Sequence, residues 1–430
     1  MENSTDIIII GAGAAGLYAA MELSRKGKKV TLLEAREKTG GRIRSIAGNF
    51  SKPMDAGPEF IHGDLPITKS LLKKAGSEFY KHKGEFYRSR EGKIVETDEM
   101  TEGWDRLMKE LKRLKKDVTL VQFLDEHFSG EKDTELRKEA IGLAEGFDAA
   151  DASRISAFAV RDEWGGDTID ESYQVEGGYT PLINYLTAEC RKNGCTFHFK
   201  TEVKKIKWQR GRVEIICVSG QEFEVPKVLI TVSLGVLTSE NETCSIAFSP
   251  DIPQKTAAAK QMGFGPIVKI NFEFRSSFWN DKNLSGTVSQ IPDLGFLNSE
   301  SEIPVWWTKA PDQPFLVGWA GGGNAEKLKQ SSDDALLKKA IRSIAMAMNT
   351  TETFISENLV AHAISNWGND PFTKGAYSYT TPETAEAKKI ISQPLEDTIF
   401  FAGEALGDHT GTVEAAMENA KQVVKLVLSL

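Results

Sequence analysis

The chain is poor in most of the features that announce a specialised class. It has 4 cysteines in 430 residues (Cys190, Cys195, Cys217, Cys244), with no CxxC and no ligand spacing. A disulfide scaffold and a zinc site are both excluded by that pattern, and the thiols read as reduced, in a cytoplasmic protein. The 6 histidines are scattered, so no metal site is expected. No apolar run approaches the ~18 residues that span a bilayer. The first residues, Met1-Glu-Asn-Ser-Thr-Asp, are polar, and the first apolar run starts at Ile7, so no signal peptide is expected. Excess positive charge is missing as well. The net charge of −8 argues against a nucleic-acid partner held through phosphates and is compatible with cationic substrates. Repeats and low-complexity linkers are absent. What remains is a chain with 40% apolar and 27% charged residues, as in soluble globular proteins, and too long for one compact core.

One stretch stands out. Asp6 to Arg44 reads DIIIIGAGAAGLYAAMELSRKGKKVTLLEAREKTGGRIR. Four isoleucines run into Gly11-Ala-Gly13-Ala-Ala-Gly16, a helical apolar pattern follows, and a second strand pattern ends at Glu34, 23 residues after Gly11. GxGxxG alone is a weak signal, but between a strand and a helix, with that acid, it is the dinucleotide-binding fingerprint. Gly11 allows the tight turn, Gly13 the approach of a pyrophosphate, and Gly16 the close packing of helix on sheet. The helix N-terminus offers free N–H groups and partial positive charge to phosphates. Glu34 accepts from ribose hydroxyls, and its charge repels a 2′-phosphate. Ala15, Ala35 and Arg36 flank these positions. Gly40-Gly41-Arg42 follows closely, and a guanidinium there can fold back onto the same pyrophosphate.

The combined pattern, GxGxxGL followed by LLEAxxxxGGR, resembles the flavin amine oxidase family, which includes monoamine, polyamine and L-amino acid oxidases and lysine-specific histone demethylases. Desaturases and protoporphyrinogen oxidase share its N-terminal part. The resemblance covers essentially the whole chain and implies an α/β fold, in which a Rossmann-type FAD-binding domain is interleaved with an α+β substrate-binding domain. Residues 1–67, 191–265 and 370–430 are expected in the first, 68–190 and 266–369 in the second. Segment 68–190 reads as mostly helical and charged. Short strands are expected around Phe197 to Ile230, at Pro266–Phe274 and at PFLVGWAG, with a last strand at Thr398–Glu404 and a helix starting near Thr412. Mitochondrial monoamine oxidases continue into a membrane anchor, and none is expected here.

Lys269 sits mid-strand in Gly263-Phe-Gly-Pro-Ile-Val-Lys-Ile-Asn-Phe. From alternation alone it faces either solvent at an edge or the interior, where an ammonium requires a partner. The resemblance places it over the reacting edge of the flavin, bridged by water, as a catalytic cation. Trp367-Gly-Asn-Asp-Pro-Phe-Thr-Lys-Gly-Ala376-Tyr377 resembles the family pattern WxxDPFxxGxY. That implies Trp367 packed on FAD and Tyr377 walling the substrate cavity, where an aromatic face attracts a cation. Monoamine oxidases carry at Ala376 a cysteine that bonds the flavin; alanine implies non-covalent FAD. Their second cage tyrosine aligns with Thr412, which leaves the aromatic cage half present.

Gly403 and Glu404 align with the residues at the flavin ribitol, and Val413 starts a helix whose positive end faces the flavin carbonyl edge. The loop Gly57-Pro58-Glu59-Phe60-Ile-His62 is expected along the flavin. L-amino acid oxidases have in this loop an arginine for the substrate carboxylate, where this chain has Phe60; Arg88, Arg90 or Arg161 would have to substitute. His62 resembles the active-site histidine of animal polyamine oxidases, although lone histidines are more often structural. Val203 matches a residue whose backbone meets adenine. Asp148 and Asp151 fall near where plant polyamine oxidases hold a distal amine. Gly321-Gly-Gly-Asn is no second nucleotide fingerprint, so O2 is the expected acceptor and hydrogen peroxide the expected product. An FAD-dependent amine oxidase is therefore expected. The alternatives are an L-amino acid oxidase, a desaturase-like enzyme on a lipophilic substrate, and a flavin-bound interaction protein.

Overall fold

The computed structural model describes residues 5–46, 49–97, 99–165, 172–240, 244–284 and 286–430. At its centre is a five-stranded parallel sheet in the order Thr196–His198, Val30–Leu33, Ile7–Ile10, Val228–Ile230, Ile399–Phe401. The four isoleucines of Ile7–Ile10 are all buried because both faces of a parallel sheet are covered. Alternation then sorts them. Ile7 and Ile9 pack with the helices Ala14–Arg25, Thr180–Lys192 and Val413–Ser429. Ile8 and Ile10 pack against the strands Val203–Gln209 and Arg212–Cys217, which belong to a four-stranded sheet. The chain leaves the parallel sheet after Leu33, rejoins it at Thr196, and closes it with Ile399–Phe401.

The second large sheet has seven strands in the order Leu359–Asn366, Ile267–Phe274, Phe315–Gly321, Val305–Thr308, Leu294–Ser299, Glu85–Arg90, Lys93–Glu96. Val268, Ile270 and Phe272 bury one face against the helix Asp333–Ala347. The other face meets the loop that runs from Ser51 to His62. A helical cluster, Trp104–Arg113, Leu120–His127, Thr134–Phe147 and Ala157–Trp164, has its own apolar core around Phe123 and Leu124.

Segment 68–190 departs from the expected mostly helical content. It contains the strands Phe79–Lys81, Glu85–Arg90, Lys93–Glu96 and Ser172–Val175. Glu85–Arg90 and Lys93–Glu96 form a hairpin closed by Glu91 and Gly92, at φ 49° and 75°. Two consecutive left-handed residues make the tight turn that suits twisted strands, but Glu-Gly is not among the strong turn pairs. Charges on the exposed face hid the alternation. Among the described residues no helix is long and apolar enough to cross a membrane, and no cluster of His, Cys, Asp or Glu suits a metal ion.

Candidate active site

A cavity of about 1660 Å3 opens at the C-terminal ends of Ile7–Ile10 and Val30–Leu33 and runs between the two large sheets. That is the crevice where open α/β sheets bind ligands. Of the residues singled out in sequence for catalysis, cofactor or substrate, all but Gly16, Asp151 and Arg161 line it. Gly16 lies behind the turn for a packing reason: a Cβ there would sit 2.0 Å from the Gly11 carbonyl oxygen. Gly11 itself turns at φ 102°.

The nucleotide end fits FAD. The helix Ala14–Arg25 has no side-chain cap at Gly13, so its first-turn N–H groups remain for an anion. A Cβ on Gly13 would meet only the Gly40 carbonyl oxygen, at 3.9 Å, which leaves the approach clear. Glu34 is buried and oriented by two amides, Ala12 N–H at 2.8 Å and Arg36 N–H at 2.9 Å. The Arg36 guanidinium is held by Asp370 at 2.5 and 2.7 Å. Arg42 donates from Nη1 to the Ala376 carbonyl (2.7 Å) and to Glu404 (2.8 Å). The rest of its fork lies at the cavity, where it can meet a pyrophosphate. Glu404 also accepts from the Ser378 and Gly411 amides, so it is itself a fixed part of the wall. Val203 and Ala35 line the same end. The Trp367 indole donates to the Ala56 carbonyl at 2.8 Å and packs beside Gly57. Ala376 offers a methyl group and no thiol.

Away from the nucleotide end, Lys269 points inward with no exposure. It donates to the Gly57 carbonyl at 3.0 Å and to Glu59 at 2.8 Å. Its strand carries polar residues on alternate positions, all buried. Lys269, Asn271 and Glu273 grip the loop through Gly57 and Glu59, the Asp55 carbonyl and the Ser51 amide. Glu59, expected in sequence only as part of the flavin loop, is the anion of the site. Burial pushes its carboxyl up, but the Lys269 and Lys309 charges outweigh that and hold it at about 2. Lys309, 3.1 Å from Glu59, has no signal in the sequence, because a lysine after an apolar strand is ordinary.

Tyr377 is joined by an aromatic partner that the sequence did not reveal. Trp319 stacks with it, ring centroids 6.4 Å apart and planes at 24°, and its indole donates to the Gly146 carbonyl. Alternation along PFLVGWAG was the available signal. The Tyr377 hydroxyl donates to the Phe147 carbonyl at 2.6 Å, and burial raises its pKa well above the usual phenol range. Thr412 lines the cavity, but its hydroxyl is occupied: it caps the helix Val413–Ser429 by accepting from the Ala415 amide at 3.0 Å and donates to the His409 carbonyl. His62 stacks on Phe60 and is bonded through Nδ1 to Ser172. Burial, with His82 nearby, pushes His62 down to about 4, so it is neutral at pH 7.

Asp148 is half-buried beside Glu163, a residue not anticipated. Burial first, and then the Glu163 charge, push the Asp148 carboxyl well up, and burial raises Glu163 as well. Both line the cavity and act electrostatically on Tyr377. Asp151 is exposed and bonds the Ser153 amide and hydroxyl, away from the cavity lining.

Residues 14–428 match the family model described as flavin containing amine oxidoreductase. The chain is similar to polyamine oxidase 2 of Arabidopsis thaliana, 29% identical, covering 94% of this chain and 84% of that protein. Polyamine oxidase 4 of Oryza sativa subsp. japonica is 27% identical, covering 95% and 86%. Lysine-specific histone demethylase 1 homolog 3 of Arabidopsis thaliana is also 27% identical over 98% of this chain, which spans 30% of that protein's length. Among solved structures, wild-type putrescine oxidase bound to putrescine has the same fold, with a TM-score of 0.79 at 18% identity and 99% of each chain covered.

Proposed function

The chain belongs to the flavin-containing amine oxidoreductases, and from that premise we propose that it is an FAD-dependent oxidase of di- or polyamines with O2 as acceptor. The observation that carries the substrate class is the pair of carboxyl side chains Asp148 and Glu163, set in the cavity beside the Tyr377 wall. Two carboxyl groups side by side can receive the second ammonium group of a di- or polyamine, whose charge favours their ionised forms. The relatives at 27–29% identity that bear the name polyamine oxidase support the same reading.

Bound FAD supplies the oxidant: a hydride equivalent leaves the carbon beside the reacting nitrogen, that nitrogen loses a proton to give an imine that water hydrolyses, and both electrons pass to O2 to give hydrogen peroxide. The chain's residues set the stage for this. Trp319 and Tyr377 form an aromatic wall for the amine. His62, kept neutral by burial, adds no positive charge that would repel an approaching ammonium. Lys269 places a fixed cation where negative charge develops. Ala376 leaves FAD without a covalent tether at that position.

No observation favours an amino-acid substrate. The arginines that would have to grip its carboxylate are paired: Arg88 with Glu139 at 2.6 Å, Arg90 with Glu135 and Glu300, Arg161 with Asp162. The test is anaerobic mixing of the holoenzyme with monoamines, diamines, polyamines and L-amino acids, following loss of the visible flavin band. Fast bleaching by di- or polyamines and slow bleaching by monoamines is expected. Bleaching by L-amino acids alone overturns the reading.

A further inference from the structure

Lys269 is one member of a larger buried array. Glu59 receives Lys269 at 2.8 Å on one oxygen; Lys309 at 3.1 Å and the Gln174 amide at 3.1 Å share the other. Lys309 also lies 3.8 Å from Asp55. Two lysines and two carboxylates thus alternate in their contacts, and Lys269 and Glu59 form part of the cavity wall. An ammonium has three donors. Gly57 and Glu59 take two of those on Lys269, and the third is available to a group in the cavity.

A lone Glu59–Lys269 pair would nearly cancel its own field at the cavity. Lys309 changes that, because one carboxylate then answers two cations. Asp55 compensates only in part: it meets Lys309 only at 3.8 Å, and burial raises its pKa against the pull of Lys309 and Lys269. We propose that Glu59 and Lys309 are positioning residues for Lys269: the shared carboxylate aims the Lys269 ammonium into the cavity, and Lys309 offsets that carboxylate so that the flavin site feels a cation. This rests on the amine-oxidase reading only in that Lys269 faces the reacting end of FAD.

The other titratable groups around the array stay silent near neutral pH. Burial raises Tyr80, Tyr179 and Tyr377 and lowers His82 and His62. The experiment measures the reduction potential of bound FAD by dye-equilibrated titration from about pH 7 to 9.5. Wild type is compared with Glu59→Gln, Lys309→Met and Lys269→Met, each first assayed for FAD content. Lys309→Met is expected to lower the potential at every pH, because it removes a cation. Glu59→Gln is expected to raise it near pH 7 and to add a pH-dependent fall above, as a buried ammonium without its anion gives up a proton. That added fall must shrink in the Glu59→Gln/Lys269→Met double variant, where only Lys309, still beside Asp55, has lost the same anion.

If Lys269→Met shifts the potential while Glu59→Gln and Lys309→Met both follow wild type, the positioning role is overturned and the reading of Lys269 survives. If Lys269→Met itself changes neither potential nor reoxidation, Lys269 has no role at the flavin and the proposal falls with it. Should Glu59→Gln fail to retain FAD, Lys309→Met decides, since Lys309 keeps 15% side-chain exposure and tolerates replacement better.

Discussion

The Lys269 ammonium is stable inside the fold because the Gly57 carbonyl and the Glu59 carboxylate accept from it at 3.0 and 2.8 Å. A buried charge is tolerated only under those terms, and a cation so fixed needs no reorganisation when negative charge develops next to it. Lys269→Met should therefore slow reoxidation of the reduced enzyme by roughly 10²–10³-fold, with little loss of FAD. Stopped-flow mixing with oxygen checks this, and an unchanged rate removes Lys269 from the oxidative half-reaction. His62 gives a prediction about stability. Its pKa is held down at about 4, by burial first and His82 second, against about 6.5 when unfolded. The unfolded chain therefore takes up a proton before the folded one does. The stability contributed by the neutral ring is complete above about pH 6.5 and is lost as pH falls through about 4. Thermal melting of His62→Gln should fall less steeply than wild type across that window; parallel curves would contradict it.

At the scale of elements, the strand Ile267–Phe274 is the most instructive. Its alternation is legible in sequence, but the polar face is turned to a loop and buried, not to solvent. The helix Val413–Ser429 shows a second use of one residue. Its N-terminus opens on the cavity, and Thr412, which occupies a substrate-facing position in the resemblance, is engaged as its cap. Thr412→Ala should cost about 1 kcal/mol of stability and leave the KM for amine nearly unchanged. Denaturant unfolding and steady-state kinetics test the two halves, and a large rise in KM with intact stability would return Thr412 to the substrate. The hairpin Glu85–Glu96 is not legible in the sequence, because its turn lacks a strong turn pair and its exposed face is charged.

At the scale of the whole molecule, the FAD crevice is assembled from remote stretches of chain. The parallel sheet joins residues near 7, 30, 196, 228 and 399, and Gly263–Gly265 pairs with Tyr377–Tyr379. A ligand that touches so many segments stabilises them together. FAD added to apoprotein should raise stability by about 2.7 kcal/mol at 100 times its Kd, in one cooperative transition. Two transitions, with only one responding to FAD, would contradict that coupling.

Sequence by itself determined the nucleotide end. Turn, helix and acid lie within about 30 residues, and local backbone demands fix Gly11, Gly16 and Glu34 whatever the rest of the chain does. It also marked Lys269, Trp367 and Tyr377, each carried by a short motif. Only the tertiary structure decided what these residues meet. Glu59, Lys309, Trp319 and Glu163 come from different elements, and nothing in the local spacing of the chain requires a lysine at 309 to share a carboxylate with one at 269. Burial did the rest: with water excluded, a charge is kept only where another segment brings it a partner, and the position of that partner is a property of the fold.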